Sequence, residues 1–417
     1  MGAVISFTSM PTDPSRQYPA TGRGARWVRR WKPVDRYARL ALVFTCMGLA
    51  LRFTIASVTL GTNDAWIWFN FGRSFNDIGL GVYAASPDMI HPPLPLVWSW
   101  VSYRLNGTFD VAFCLLMKLP AIFGDVISCW ALWKIGVAGA GRRAAMMLVA
   151  TMALNPAAIL ISAAHCNTDN LYTAFTLWSL YLAQRQRMLL SGVLLGAAIN
   201  VKLIPVIFLP VLLLCCRNPR EWTAFAGGLV AMLVPFVIVG AATHGESIAR
   251  IAGYGSAEQN WGVNYVLRLL EANGVASTWA SDLRTHYRGG LGKVVLLVSV
   301  LTAAFFCRRR GAGPLMAGAI SAAIFLVTAS GFGVQYVVLP VVLALAVSVR
   351  SGLVLGMLGG AFLVATYWAF CAQIDPMYFR FTTFIPPPAS YLGLLLWVAL
   401  AAFAVRALVR TAKTAVE

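Results

Sequence analysis

Residues 144–184 read AAMMLVATMALNPAAILISAAHCNTDNLYTAFTLWSLYLAQ. Two apolar runs flank His165-Cys166-Asn167-Thr168-Asp169-Asn170, and the reading of that polar hexapeptide decides the fold. In a soluble domain it would be a turn between two core helices. Here the flanking runs approach the roughly 20 apolar residues that a bilayer-spanning helix needs, and the pattern recurs along the whole chain. Of the 417 residues, 59% are hydrophobic and only 12% are charged, with a mean hydropathy of +0.72. Such a composition excludes an ordinary soluble enzyme, a disordered chain and a small disulfide scaffold.

Working outward, apolar stretches fall near 40–60, 111–134, 144–163, 170–184, 188–201, 203–216, 222–241, 291–307, 313–329, 335–349, 352–370 and 389–405. They predict an all-α polytopic membrane protein of about twelve transmembrane helices. Cytoplasmic loops of such proteins collect Lys and Arg. Alternating the spans places 1–39, 134–143, 185–187, 217–221, 308–312, 350–351 and 406–417 inside, and these segments hold two thirds of the 33 Lys and Arg residues. Their acidic residues are Asp13, Asp35, Glu221 and Glu417 alone. The net charge of +18 is therefore expected to serve topology, and no nucleic-acid partner is predicted.

The organisation that follows is a cytoplasmic basic segment at 1–39, a transmembrane domain at 40–405 and a cytoplasmic tail at 406–417. The basic leader (Arg23, Arg26, Arg29, Arg30, Lys32, Arg36), with Arg52 inside the first run and no clear cleavage site, predicts a retained first helix rather than a removed signal peptide. Two long loops, 61–110 and 242–290, lie outside. The run at 94–105 is too short to span and is expected to be re-entrant or interfacial. The pair 188–201 and 203–216 is likewise short, and is expected to form a hairpin with its tip at Asn200-Val201-Lys202. Tyr265 to Glu271 is amphipathic.

Five groups of residues could carry chemistry. Asn63-Asp64 sits where the first span ends, followed by Trp66, Trp68, Phe69 and then His91-Pro92-Pro93-Leu94-Pro95. The hexapeptide at 165–170 offers His165, Asn167 and Asp169, with His165 and Asp169 spaced to share one helical face as a candidate metal pair. Lys202 is a charge at membrane depth, which marks function or snorkels. Arg52 and Lys118 either snorkel or pair with an acid such as Asp125. Gly331-Phe332-Gly333-Val334-Gln335-Tyr336 forms an outer turn. Gln259-Asn260-Trp261-Gly262 and Arg268 belong to the second outer loop, whose excess of Arg would suit anionic headgroups or a lipid-linked phosphate. The eight cysteines fit no metal spacing. Cys46, Cys114, Cys129, Cys215, Cys216 and Cys307 lie in or beside apolar runs, while Cys166 and Cys371 fall at outer ends, where a bond between them stays open. No P-loop, dinucleotide fingerprint, His-Glu-x-x-His or Gly-x-Ser-x-Gly occurs.

Taken in order, Asp64, His91-Pro92-Pro93-Leu94, His165-x-Asn167-x-Asp169, the Gly192–Lys202-Pro205 region and Gly331–Tyr336 resemble the GT-C superfamily of polytopic glycosyltransferases, which use polyprenyl-phosphate sugars. The chain looks most like the dolichyl-phosphate-glucose glucosyltransferases and the polyprenyl-phosphate-mannose mannosyltransferases. It departs from them at His91, where Tyr is common, and at Gln335, where several bacterial mannosyltransferases have His.

The resemblance implies an inverting transferase moving mannose or glucose from a polyprenyl-phosphate donor to a hydroxyl of a lipid-linked or envelope glycan, at the outer side of a bacterial inner membrane. Asp64 would be the general base. Lys202, Arg268 or His165 would stabilise the leaving phosphate, and His91, Asn167, Asp169, Trp261, Gln335 and Tyr336 would line the substrates. Only Asp64 and Asp169 are well placed as carboxylates, so no metal and no other cofactor is expected. The alternative is a secondary transporter or a lipid-linked sugar flippase, which would place a polar site at the midplane, near Asp125.

Overall fold

The structure, a computed structural model, describes residues 35–253, 261–274, 279–371, 374–375, 378–379 and 387–413. The basic leader up to residue 34 and the loop residues Gln259 and Asn260 lie outside the described residues. All twelve apolar stretches are helical. Among the described residues, six helices are long and apolar enough to cross a membrane: Arg36–Val58, Val111–Gly139, Pro219–Ala242, Trp279–Arg309, Val349–Trp368 and Pro387–Lys413. A seventh crossing is made if the pair Arg142–Ala153 and Pro156–His165, bent by 46°, counts as one. The break is local: Asn155 caps the second helix by accepting from the Ala158 N–H at 3.1 Å, and Pro156 opens it.

The remaining apolar helices are shorter than the expected spans. Met188–Val201, Ile204–Cys215, Pro314–Thr328 and Val334–Val347 run to 10–17 residues, about 15–25 Å at the α-helical rise. Burial accounts for this in Pro314–Thr328 and Val334–Val347, most of whose residues are buried. Every residue of Val338–Val347 is buried among neighbouring helices. A helix that is apolar all round and enclosed by protein has no lipid thickness to match.

Close approach of helices rests on small residues. Met188–Val201 crosses Pro219–Ala242 at Gly192, Gly196 and Gly228, and a Cβ at Gly192 would sit 2.1 Å from the Phe225 carbonyl oxygen. A main core joins the helices from 129 onward. A second, aromatic core holds Trp68, Phe69, Phe71, Tyr83 and Phe113.

Among the described residues, the two long connecting segments 61–110 and 242–290 are largely helical. The first contains Asn63–Ile78 and Pro93–Asn106, which pack together where Gly72 admits Ser99, whose hydroxyl donates to the Trp68 carbonyl. The second contains Glu246–Gly253, Val263–Ala272 and Trp279–His286, the last running through a kink at Gly290 into Gly292–Arg309. Ile374–Asp375 and Tyr378–Phe379 pair as a small antiparallel ladder, Ile374 opposite Phe379.

A buried polar brace crosses the bundle. Arg52 donates to Asp125 Oδ2 at 2.6 Å and to the Ala153 carbonyl at 2.6 Å, and Asn170 donates to Asp125 Oδ1 at 2.7 Å. Arg52 thus pairs rather than snorkels. Lys118 donates to the Thr59 carbonyl at 2.5 Å and the Thr59 hydroxyl at 2.9 Å, satisfying the open carbonyl end of the first helix.

Candidate active site

The positions 59–64, 165–170, 200–204 and 330–337 meet at one end of the bundle, beginning with the end of the first helix. Gly61 has φ +124°, and a Cβ there would lie 2.7 Å from that of Cys166, so only glycine fits. Thr62 then donates to the His165 carbonyl twice, from its N–H at 3.2 Å and its hydroxyl at 2.9 Å. Its hydroxyl also accepts from the Asp64 N–H at 3.3 Å, capping the helix Asn63–Ile78. The first helix and the bent pair are stitched together here, at His165 itself and two positions before Asp64.

Asp64 stands in the first turn of that helix, where the dipole favours a carboxylate. Its Oδ2 lies 3.1 Å from His165 Nε2 and accepts from Asn167 Nδ2 at 2.5 Å. His165 Nδ1 is 2.7 Å from the Tyr367 hydroxyl. With the phenol donating to Nδ1, the ring presents Nε2–H to the carboxylate. Asp64 Oδ1 has no hydrogen-bond partner among the described residues, and the side chain is 21% exposed against 5% for His165. One oxygen is anchored by two protein groups, and the other keeps its lone pairs unbonded among the described residues.

Burial pushes the Asp64 pKa up, but the His165 hydrogen bond and the nearby Lys202 charge outweigh it and hold the group below its ordinary 3.8. Asp64 is therefore an anion at neutral pH. His91 is pushed down to about 3 by burial and by the Lys202 charge, against the opposing pull of Asp64. It is a neutral imidazole, packed on Trp68 at 4.5 Å between ring centres, with its carbonyl accepting from the Tyr83 hydroxyl at 2.9 Å.

Behind Asp64 lies a buried ion pair. Lys202 follows the helix Met188–Val201 where the backbone turns extended (φ −159°, ψ 145°), and Asp169 opens the helix Asp169–Gln184. Lys202 Nζ donates to both carboxylate oxygens of Asp169, at 2.9 and 3.0 Å, and lies 4.4 Å from the centre of the Tyr336 ring. His165 and Asp169 thus serve different partners. The left-handed turn at Cys166 (φ 68°) breaks the helix between them, so they do not share one helical face as their spacing suggested. Cys166 is a free thiol packed near the Cys114 carbonyl; the side chain of Cys371 lies outside the described residues.

The segment after residue 260 packs against the 330–336 turn. Trp261 Nε1 donates to the Phe332 carbonyl at 2.5 Å and its ring packs on Phe362. With the Asn264 N–H donating to the Ser330 carbonyl at 3.0 Å, Trp261 fastens this segment to the 330–336 turn. Arg268 lies over Tyr265, 5.3 Å from its ring centre, and makes no recorded contact with the Asp64 or Lys202 groups among the described residues. Gln335 folds back over Gly333.

Asp64, His165, Asn167, Asp169, Lys202 and Tyr336 therefore converge, with His91 within electrostatic reach. Tyr367 was not legible as a site residue, since one phenol in the apolar run 352–370 carries no local signal. Asn170 was visible in the hexapeptide, but its bond to Asp125 requires the packed bundle.

Comparison with known proteins gives two findings. Residues 86–218 match the family model described as alpha-(1->6)-mannopyranosyltransferase, N-terminal domain. That third of the chain includes His91, the hexapeptide and Lys202, and excludes Asp64 and Tyr336. Among solved structures, the chain is similar to ArnT from Cupriavidus metallidurans in the apo state, at 16% identity and a TM-score of 0.45, over 90% of this chain and 77% of that one. No curated protein matches the chain. The family match, over a third of the chain, is to a glycosyltransferase domain, the activity class that the resemblance read from the motifs implies.

Proposed function

We propose that this chain is an inverting glycosyltransferase that moves a hexose, mannose before glucose, from a polyprenyl-phosphate donor to a hydroxyl of a lipid-linked or envelope glycan at the outer face of a bacterial inner membrane. The observation that carries the reading is the Asp64 carboxylate: ionised, anchored through Oδ2 by His165 and Asn167, partly exposed, and without a hydrogen bond at Oδ1 among the described residues. A general base needs that combination of a held orientation and one free oxygen within reach of a hydroxyl. The family match over 86–218 favours mannose.

In the step, the acceptor oxygen forms a bond to the anomeric carbon as its proton passes to Asp64 Oδ1. The bond from that carbon to the phosphate oxygen breaks, and the lipid phosphate leaves with the electron pair. Such a leaving group needs positive charge rather than a proton. Lys202 supplies it: two of its N–H bonds hold Asp169, and the third is left for the phosphate. Neutral His91 can bond a sugar hydroxyl without repelling Lys202. Both carboxylates already hold protein partners, His165 and Asn167 on one and Lys202 on the other, and the proposed step is metal-independent, so activity should survive chelation with EDTA.

The test is sugar transfer by purified protein in lipid, supplied with polyprenyl-phosphate mannose, glucose or arabinose and a membrane glycolipid extract, with Asp64→Asn alongside. Donor-dependent labelling that the variant loses while staying folded supports the reading. Equal transfer by the variant removes Asp64 as the base. The transporter or flippase reading predicts the opposite pattern, with Asp125→Asn abolishing activity and Asp64→Asn sparing it. Against it, Asp125 is bonded to Arg52 and Asn170 as a brace, leaving no midplane carboxylate for cargo there.

A further inference from the structure

At the end of the bundle opposite Asp64, a cavity of about 150 Å³ is lined by Gln186, Arg217, Arg308 and Gly313 over a floor of aliphatic residues that includes Val211 and Leu214. Neither arginine has an ion-pair partner among the described residues. Glu221, the nearest acid in sequence, turns its carboxylate onto the Arg217 backbone N–H at 2.7 Å and closes the start of the helix Pro219–Ala242. Arg309 and Arg310 lie over Phe305 and Phe306, whereas Arg308 borders the cavity.

Two further features point to an anion. The helix Pro314–Thr328 begins at the cavity with Gly313 as its cap residue, which has no side chain to bond the first-turn N–H groups. Those donors and the helix dipole remain available to a negative group. Arg217 also borders a second hollow, of about 420 Å³, whose wall includes Trp222. Trp222 is 44% exposed, and exposed tryptophan beside a hydrophobic helix marks headgroup depth in a bilayer.

We infer that Arg217 and Arg308 form a binding site for the phosphodiester headgroup of an anionic membrane lipid. The two guanidiniums would hold the phosphate oxygens, the open helix start would add N–H donors, and the aliphatic floor would meet the glycerol and upper acyl carbons. A soluble phosphate would gain nothing from that floor or from Trp222. The inference is independent of the proposed transferase chemistry, because it concerns the other end of the molecule.

The experiment is native mass spectrometry of the full chain released from neutral detergent, titrated with phosphatidylglycerol, phosphatidylcholine or inorganic phosphate. Phosphatidylglycerol should bind at least tenfold more tightly than phosphatidylcholine. The Arg217→Gln/Arg308→Gln double variant should lose that preference while eluting as the same monodisperse species. The control Arg142→Gln/Arg143→Gln, a basic pair elsewhere on the molecule, should keep it. Equal binding of the two lipids, an unchanged Arg217/Arg308 variant, or the same loss in the control would each overturn the assignment. Displacement of the lipid by millimolar inorganic phosphate would also overturn it, in favour of a soluble anion.

Discussion

Asp64 Oδ1 is the atom on which the proposed chemistry depends, so the residue-scale predictions start there. Asp64→Asn keeps the shape but removes the base, and should lower transfer by about 10²–10⁴-fold with donor binding retained. Tyr367→Phe removes the phenol that orients His165. It leaves charge and packing in place, so activity should fall by a smaller factor, on the order of fivefold for the loss of about 1 kcal/mol, measured as kcat with KM little changed. The pH dependence follows from the two displaced groups. A carboxylate held below 3.8 contributes stability that is present above pH 3.8 and lost as pH falls through its folded value. His91, neutral down to about 3 in the fold but with an ordinary value of 6.5 when unfolded, lowers stability progressively as pH falls from 6.5 towards 3. His91→Gln should flatten that part of a thermal-unfolding profile. In the wild type the activity profile should show no inflection near 6.5 from His91. The two carboxylates and Lys202 were legible as polar residues at the ends of apolar runs. Their pairing was not, because Asp169 lies 33 positions from Lys202 and only the bundle brings them together.

At the scale of elements, the site depends on how tightly its helices meet. Gly192→Leu would drive a side chain into the Phe225 carbonyl. Overpacking of this kind costs about 1–3 kcal/mol, read as a lowered melting temperature in detergent. Since Lys202 ends the same helix, activity should fall in parallel. Most elements were legible from hydropathy: the short hairpin pair, the Pro-Pro start of Pro93–Asn106 and the amphipathic stretch around 265–271 all recur as helices. The lengths were not. Pro314–Thr328 and Val334–Val347 read as full spans because apolar composition alone does not distinguish a helix facing lipid from one enclosed by protein. The helical order of the two outer segments was also hidden, since aromatic and polar residues mix there without a clear period.

For the whole molecule, the Arg52–Asp125–Asn170 brace ties the first helix to the helices Val111–Gly139 and Asp169–Gln184 and to the bend after Ala153. Removing one charge strands the other in a dry interior. Arg52→Met should therefore cost about 3–5 kcal/mol, and Arg52→Met/Asp125→Leu should recover much of that loss, as judged by thermal unfolding of both variants in the same detergent. If the double variant is no more stable than the single one, the brace acts through its bonds to the Ala153 and Gly48 carbonyls instead.

Composition and hydropathy alone determined that the chain is a helical multi-pass membrane protein, since leaving this much apolar surface exposed to water is untenable. The order of the short polar motifs determined the glycosyltransferase class they resemble. The tertiary structure decided which polar residues act together. It separated His165 from Asp169 through the left-handed turn at Cys166, gave Asp64 its His165, Asn167 and Tyr367 support, and assigned Trp261 to fastening a turn. The physical reason is range: periodicity and hydropathy are local quantities, whereas a site made from helix ends depends on which ends the packing of glycines and buried ion pairs brings together.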